Sequence, residues 1–213
     1  MYDFISFFLY PLIEIYKFFF SLFYSVINYS DISIISLSIT SSFLLLPLLK
    51  LAKVSEEKIS KKILKVNVAV STLPDELRGE DKFKELERIY NQFSYHPIEN
   101  IKMGASFFFI VPFFLAAFLF FQENLILFKD TGLLIHDLSV SDQLLFGLNV
   151  LPVFIFLVNF IDARYKYKHL ISMQRTYLLT SLVICVLIYN MPLCMTLYWA
   201  TNSIFSFLGN FKS

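Results

Sequence analysis

From Thr176 to Phe211 the chain carries no formal charge for 36 consecutive residues. As one helix rising ~1.5 Å per residue this run would reach about 54 Å, far more than the ~30 Å hydrocarbon core of a bilayer. The run must therefore fold back. Asn190-Met191-Pro192 is the natural break, because proline ends helices and asparagine favours turns, which leaves spans of roughly 176–190 and 193–211. Three earlier apolar runs, Ile32–Leu49, Met103–Phe121 and Leu144–Ile161, each come close to the ~20 residues that cross a bilayer. With 57% hydrophobic and 16% charged residues, the chain has more apolar surface than a soluble domain of its size hides, and lipid takes up the excess. The expected fold is an all-α membrane protein with five transmembrane helices.

Leu12–Asn28 is apolar enough to cross as well, but Glu14, Lys17, Ser21, Ser25 and Asn28 recur every three or four residues. One polar stripe on a phenylalanine-rich cylinder predicts an amphipathic helix lying in the interface. Residues 1–30 are read as that N-terminal helix and 31–213 as the five-span core. Lys17 is the only basic residue in the first thirty, so the basic start of a signal peptide is missing and the segment is expected to remain in the mature protein.

Charge placement sets the orientation. Eleven of the eighteen Lys and Arg residues fall between Lys50 and Lys102, and Arg164, Lys166, Lys168 and Arg175 lie between the third and fourth spans. Both loops are expected in the cytoplasm, whereas Gln122–Asp142, with Lys129 alone, faces outward. Five spans then place the N-terminus outside and the C-terminus in the cytoplasm, in a membrane read as the bacterial cytoplasmic (inner) membrane. Residues 51–96 are the only sizeable polar region. Phe83, Leu86, Ile89 or Tyr90 and Phe93, preceded by Val54, Ile59, Ile63 and Val66, predict a cytoplasmic helical hairpin turning at Leu73-Pro74-Asp75-Glu76 or at Gly79.

The net charge of +1 argues against DNA as a partner, which calls for a basic excess. Cys185 and Cys194 have no redox or zinc spacing. There is no GxxxxGK[ST] loop for a nucleotide, and no nucleophile accompanies His136-Asp137, which reads as a capping pair at the outer surface. No catalytic residue, cofactor or metal is expected.

Several stretches, in order, resemble the YidC/Oxa family of membrane protein insertases. Leu46-Pro47-Leu48-Leu49-Lys50 is similar to the end of that family's first core span. Val111-Pro112-Phe113-Phe114-Leu115-Ala116 is similar to its second, and Ile135-His136-Asp137-Leu138-Ser139 with Asp142 and Leu151-Pro152 to its external loop and next span. Met191-Pro192 followed by Leu197-Tyr198-Trp199-Ala200-Thr201-Asn202 resembles its final span. The resemblance covers about residues 10–210 and includes a counterpart for the amphipathic helix.

It implies five spans around a groove open to cytoplasm and lipid, which passes a client's short polar segment through the membrane while its apolar segment slides into lipid without nucleotide. It also implies nascent membrane proteins and the bilayer as partners, with ribosome and translocon candidates for the 51–96 hairpin. Where many bacterial members carry a groove arginine, five residues before the first proline, this chain has Ser42, and Ile110 replaces a glutamine of the second span. The candidate groove lining is therefore neutral: Ser38, Ser41 and Ser42 from the first span, and Thr196, Tyr198, Trp199, Thr201 and Asn202 from the last. Small polar residues also serve tight helix contacts in membranes. Two rivals stay open. One is a non-inserting scaffold of the same fold, and the other a small transporter or channel, which calls for ionisable residues inside the spans.

Overall fold

The computed structural model describes residues 2–74, 77–99, 105–143, 147–168 and 171–211. Met103 and Leu144, the expected starts of two spans, and Asp75-Glu76 of the expected turn lie outside the described residues, as does the side chain of Ile110. The helices are α1 (Tyr2–Ile27), α2 (Ser30–Ser71), α3 (Gly79–Gln92), α4 (Ala105–Glu123), α5 (Val150–Lys166), α6 (Ile171–Ile188) and α7 (Leu193–Phe211), with a 3-10 turn at Leu125–Phe128. By length and composition Leu9–Ile27 and Ser30–Ser71 can cross a membrane, and Val111–Glu123 and Met173–Ile188 are shorter apolar stretches.

The break at 190–192 separates α6 from α7 as expected. The Met191 amide still bonds the Ile188 carbonyl at 3.0 Å, after which Leu193 turns its amide to Val140 at 2.7 Å. Two expected boundaries shift. The helix of the first span does not end near Pro47: α2 is 42 residues long with that proline inside it. The ring removes one intrahelical hydrogen bond, and the helix continues because its second half has a buried stripe of its own. The third span starts as a helix only at Val150. Asp142 caps it from eight residues away, its carboxylate accepting the Val150 amide at 2.9 Å and the Leu151 amide at 2.5 Å. This helix runs to Lys166 and so includes a buried carboxylate, Asp162, in its last turns. The Tyr177 hydroxyl of α6 bonds it.

The chain forms two compact units, residues 1–44 with 112–213, and residues 45–111. In the larger, α1, α2, α4 and α7 meet on an aromatic core. Phe20 meets Phe128 at 5.3 Å and Phe120 at 5.6 Å between ring centroids, and Phe121 meets Tyr198 at 5.6 Å. Helix α5 packs against both α6 and α7, with Asn159 donating to Ser181 across the α5–α6 seam at 3.2 Å.

The loop after the 3-10 turn ties helix ends together through its backbone. Buried Asp31 in the first turn of α2 accepts the Leu133 amide at 3.1 Å and the Leu134 amide at 2.7 Å. Leu138 bonds back to Phe128 at 3.0 Å and receives the Cys194 amide at 2.9 Å. Gly132 is required there, because a Cβ on it would overlap the Ile135 carbonyl oxygen.

In the smaller unit the second half of α2 buries Ala52, Glu56, Ile63 and Val66 and half-buries Ile59 and Val70. The spacing alternates four and three, the seam of a coiled coil. Val54, expected in that seam, is exposed, and so is Phe83 of α3. Ile59, Ile63 and Val66 keep the expected seam, which the continuous α2 extends backward through Glu56 and Ala52 in place of Val54. Helix α3 ends in a Schellman motif: Tyr95 bonds the Tyr90 carbonyl at 2.8 Å and Ser94 the Asn91 carbonyl at 3.1 Å. The Tyr90 and Tyr95 rings close it edge to face at 5.2 Å. Lys62 grips both carboxylate oxygens of Glu99, at 2.8 and 2.9 Å.

Candidate functional site

Five of the eight expected groove residues come together. In α2, Ser38, Ser41 and Ser42 are buried and turned toward α7. Ser38 donates to the Tyr198 carbonyl at 2.9 Å, and Ser42 donates to Asn202 Oδ1 at 2.6 Å. Ser41 donates to the Ser38 carbonyl at 2.9 Å and bonds the Tyr198 hydroxyl at 2.8 Å. A serine hydroxyl has one proton. Having given it to Ser38, Ser41 must accept from Tyr198.

The chain of bonds then leaves the expected set. The Tyr198 hydroxyl lies 2.7 Å from that of Tyr16 on α1. Its own proton is committed to Ser41, so it accepts from Tyr16. One order satisfies every contact: Tyr16 to Tyr198, Tyr198 to Ser41, Ser41 to the Ser38 carbonyl. Sequence reading missed Tyr16 because it assigned α1 to the interface by its polar stripe, and a tyrosine among phenylalanines carries no separate signal.

The other three expected residues stand aside. Thr196 and Thr201 bond their own helix, at Leu193 and Leu197 carbonyls 3.2 and 2.9 Å away. The indole of Trp199 stacks on Phe114 at 4.2 Å, a packing contact worth about 0.5–1.5 kcal/mol beyond burial.

The seam is neutral throughout, made of hydroxyls, one carboxamide and backbone carbonyls. Beside it runs a narrow recess bordered by Leu12, Tyr16 and Phe19 of α1 and Leu37, Ser41 and Leu44 of α2, with room for about one water molecule. In this arrangement the seam's polar groups satisfy one another.

At the loop joining the helices, His136 Nδ1 pairs with Asp130 at 2.9 Å, not with Asp137. Asp137 instead caps its own turn, accepting the Ser139 hydroxyl at 2.6 Å and the Ser139 amide at 2.9 Å. Those two bonds, the hydroxyl's first, hold the Asp137 carboxyl below the usual aspartate range. In the last turn of α5, Arg164 lies over the Phe160 ring at 5.0 Å and Lys166 beside Tyr167 at 5.2 Å. Among the described residues no group of three or more His, Cys, Asp or Glu side chains is placed to hold a metal ion.

Compared with known proteins, residues 22–212 match the family described as 60Kd inner membrane protein. No curated protein matches the chain.

Proposed function

Because the chain belongs to the 60Kd inner membrane protein family, the integral-membrane insertases of the YidC/Oxa type, we propose that it inserts membrane proteins by lending the neutral seam between α2 and α7 to a client's polar segment. The observation that carries this reading is the run of hydrogen bonds through Ser38, Ser41, Tyr198, Ser42 and Asn202, which gathers exchangeable donors and acceptors among apolar helices. An amide or hydroxyl without a partner in hydrocarbon costs ~4–8 kcal/mol. A seam that releases its internal bonds one at a time and offers them to the client replaces that cost with a near-even exchange. The transfer of ~20 apolar residues into lipid then drives the reaction.

In this reading α2, α4, α5, α6 and α7 cross the membrane, and the basic segments 50–102 and 164–175 face the cytoplasm with the C-terminus. Ser38, Ser41, Ser42, Tyr198 and Asn202 contact the client, and Thr196, Trp199 and Thr201 back them. Ser42, in place of a fixed cation, suits clients whose translocated segment is polar but uncharged. The hairpin within 51–96 receives nascent chains, with the ribosome or a translocon as its partner, and charge reversal of Lys58, Lys61 and Lys65 is expected to weaken ribosome co-sedimentation.

Photo-crosslinkers at positions 42 and 202, probed against stalled nascent chains of a small single-span protein, test the insertase. Adducts at either position support it. A seam this closed also suits a non-inserting scaffold, and no adduct at both positions in a stably expressed protein would establish that reading instead.

A further inference from the structure

We propose that α1 crosses the membrane and serves as a tethered stand-in for a client helix, lying over the seam and yielding its place when a client arrives. The inference rests on the insertase reading and adds to it a resting-state cover and a topology.

Depth argues for the crossing. Tyr16 reaches the hydroxyl pair of Ser41 and Tyr198. Ser41 stands eleven residues into α2 from Ser30, ~16 Å below that helix's outer end. A helix lying flat at the surface does not reach a point so deep.

The faces of α1 agree. Ile13, Tyr16 and Phe20 are 3%, 2% and 5% exposed against the core, whereas Phe18, Leu22 and Val26, pointing away, are 64%, 47% and 76% exposed. An interface helix turns a continuous polar face to water, but the outward side of this one mixes exposed Ser21 and Ser25 and half-exposed Glu14 and Lys17 with Phe18, Leu22 and Val26. The stripe that suggested otherwise is largely satisfied within the helix: Lys17 pairs with Glu14 at 3.0 Å, and Ser25 donates to the Leu22 carbonyl at 2.8 Å. Asn28, with φ of +58°, turns the chain directly into α2, whose first turn is tied to the outward loop by Asp31. The Tyr2 end of α1 therefore faces the cytoplasm, in place of the outward N-terminus expected from five spans.

The chemistry argues for the stand-in. A lipid-facing seam of hydroxyls needs a partner in the absence of water. Tyr16 supplies one neutral hydroxyl from a core-facing side of α1 that is otherwise apolar, with Ile13 and Phe20 beside it, which is what a client span with one polar residue offers. The recess between α1 and α2, with room for about one water molecule, lies where the cover meets the seam.

The test pins the cover. In the full-length protein with Cys185→Ser and Cys194→Ala, Leu12→Cys and Leu44→Cys face the same recess without entering the seam's hydrogen bonds. After reconstitution into phosphatidylethanolamine–phosphatidylglycerol vesicles, oxidation or a short dimaleimide is expected to join the peptides containing positions 12 and 44. Insertion of a single-span client is expected to be lost when they are joined and to return with reductant in the oxidised sample. Failure to recover joined peptides, or undiminished insertion by the joined protein, overturns the proposal. If the unaltered chain inserts nothing while the peptides still join, the insertase reading and the stand-in role fall together, and the position of α1 survives.

Discussion

Replacing Tyr16 or Tyr198 by phenylalanine removes one hydroxyl from the same pair, yet the two changes are expected to differ severalfold in cost. Tyr16 is the terminal donor. Tyr16→Phe loses the 2.7 Å bond and strands no proton, which costs about 0.5–1.5 kcal/mol. Tyr198→Phe loses that bond and the 2.8 Å bond to Ser41 and, in this donor order, leaves the Tyr16 O–H without its 2.7 Å acceptor. Two bonds at ~1 kcal/mol each and a stranded buried donor at ~1–3 kcal/mol give about 3–5 kcal/mol. The double variant loses the same two bonds but strands nothing, about 2 kcal/mol. Tyr16→Phe should therefore destabilise the unaltered protein and stabilise the Tyr198→Phe protein. The assay is reversible unfolding in mixed micelles followed by the fluorescence of Trp199, whose stack on Phe114 reports the α4–α7 contact. If Tyr16→Phe costs the same in both backgrounds, the donor order through the seam is wrong.

Asp31→Ala leaves the Leu133 and Leu134 amides without their carboxylate and is expected to cost about 2–3 kcal/mol, seen as faster proteolysis within residues 129–143. The Asp137 carboxyl is held below the ordinary 3.8, so its turn is fully supported above that pH and loses support as pH falls through the lower folded value. Amide exchange at Ser139 should rise only in that acid range, and Ser139→Ala should move the Asp137 titration back up toward 3.8, as NMR can follow. Lys62→Glu breaks the pair with Glu99, worth about 0.5–1 kcal/mol at this partial exposure, and the added repulsion should speed proteolysis of the hairpin. Adding Glu99→Lys should restore resistance. Asn28→Cys should react with an impermeant thiol reagent from outside, whereas Asp3→Cys should react only after permeabilisation.

Hydropathy and charge are sums over neighbouring residues, and what depends on such sums was legible in the sequence. The charge-free run from Thr176 to Phe211 demanded a helical pair broken at Pro192, and α6 and α7 are that pair. The same holds for the membrane class, and for α2 and α7 as the source of neutral polar residues. What depends on partners far along the chain was not legible. Pro47 lies inside one long helix because a stripe beginning at Ala52 buries the residues beyond it. Val150 opens α5 because a carboxylate eight residues upstream caps it. Tyr16 belongs to the seam because packing brings it to Tyr198, 182 residues away. Local periodicity tells which face of a helix is polar. Only the packing of helices distant in sequence decides whether that face meets water, lipid or another helix, since a hydroxyl's free energy depends on its partner and no local pattern names the partner.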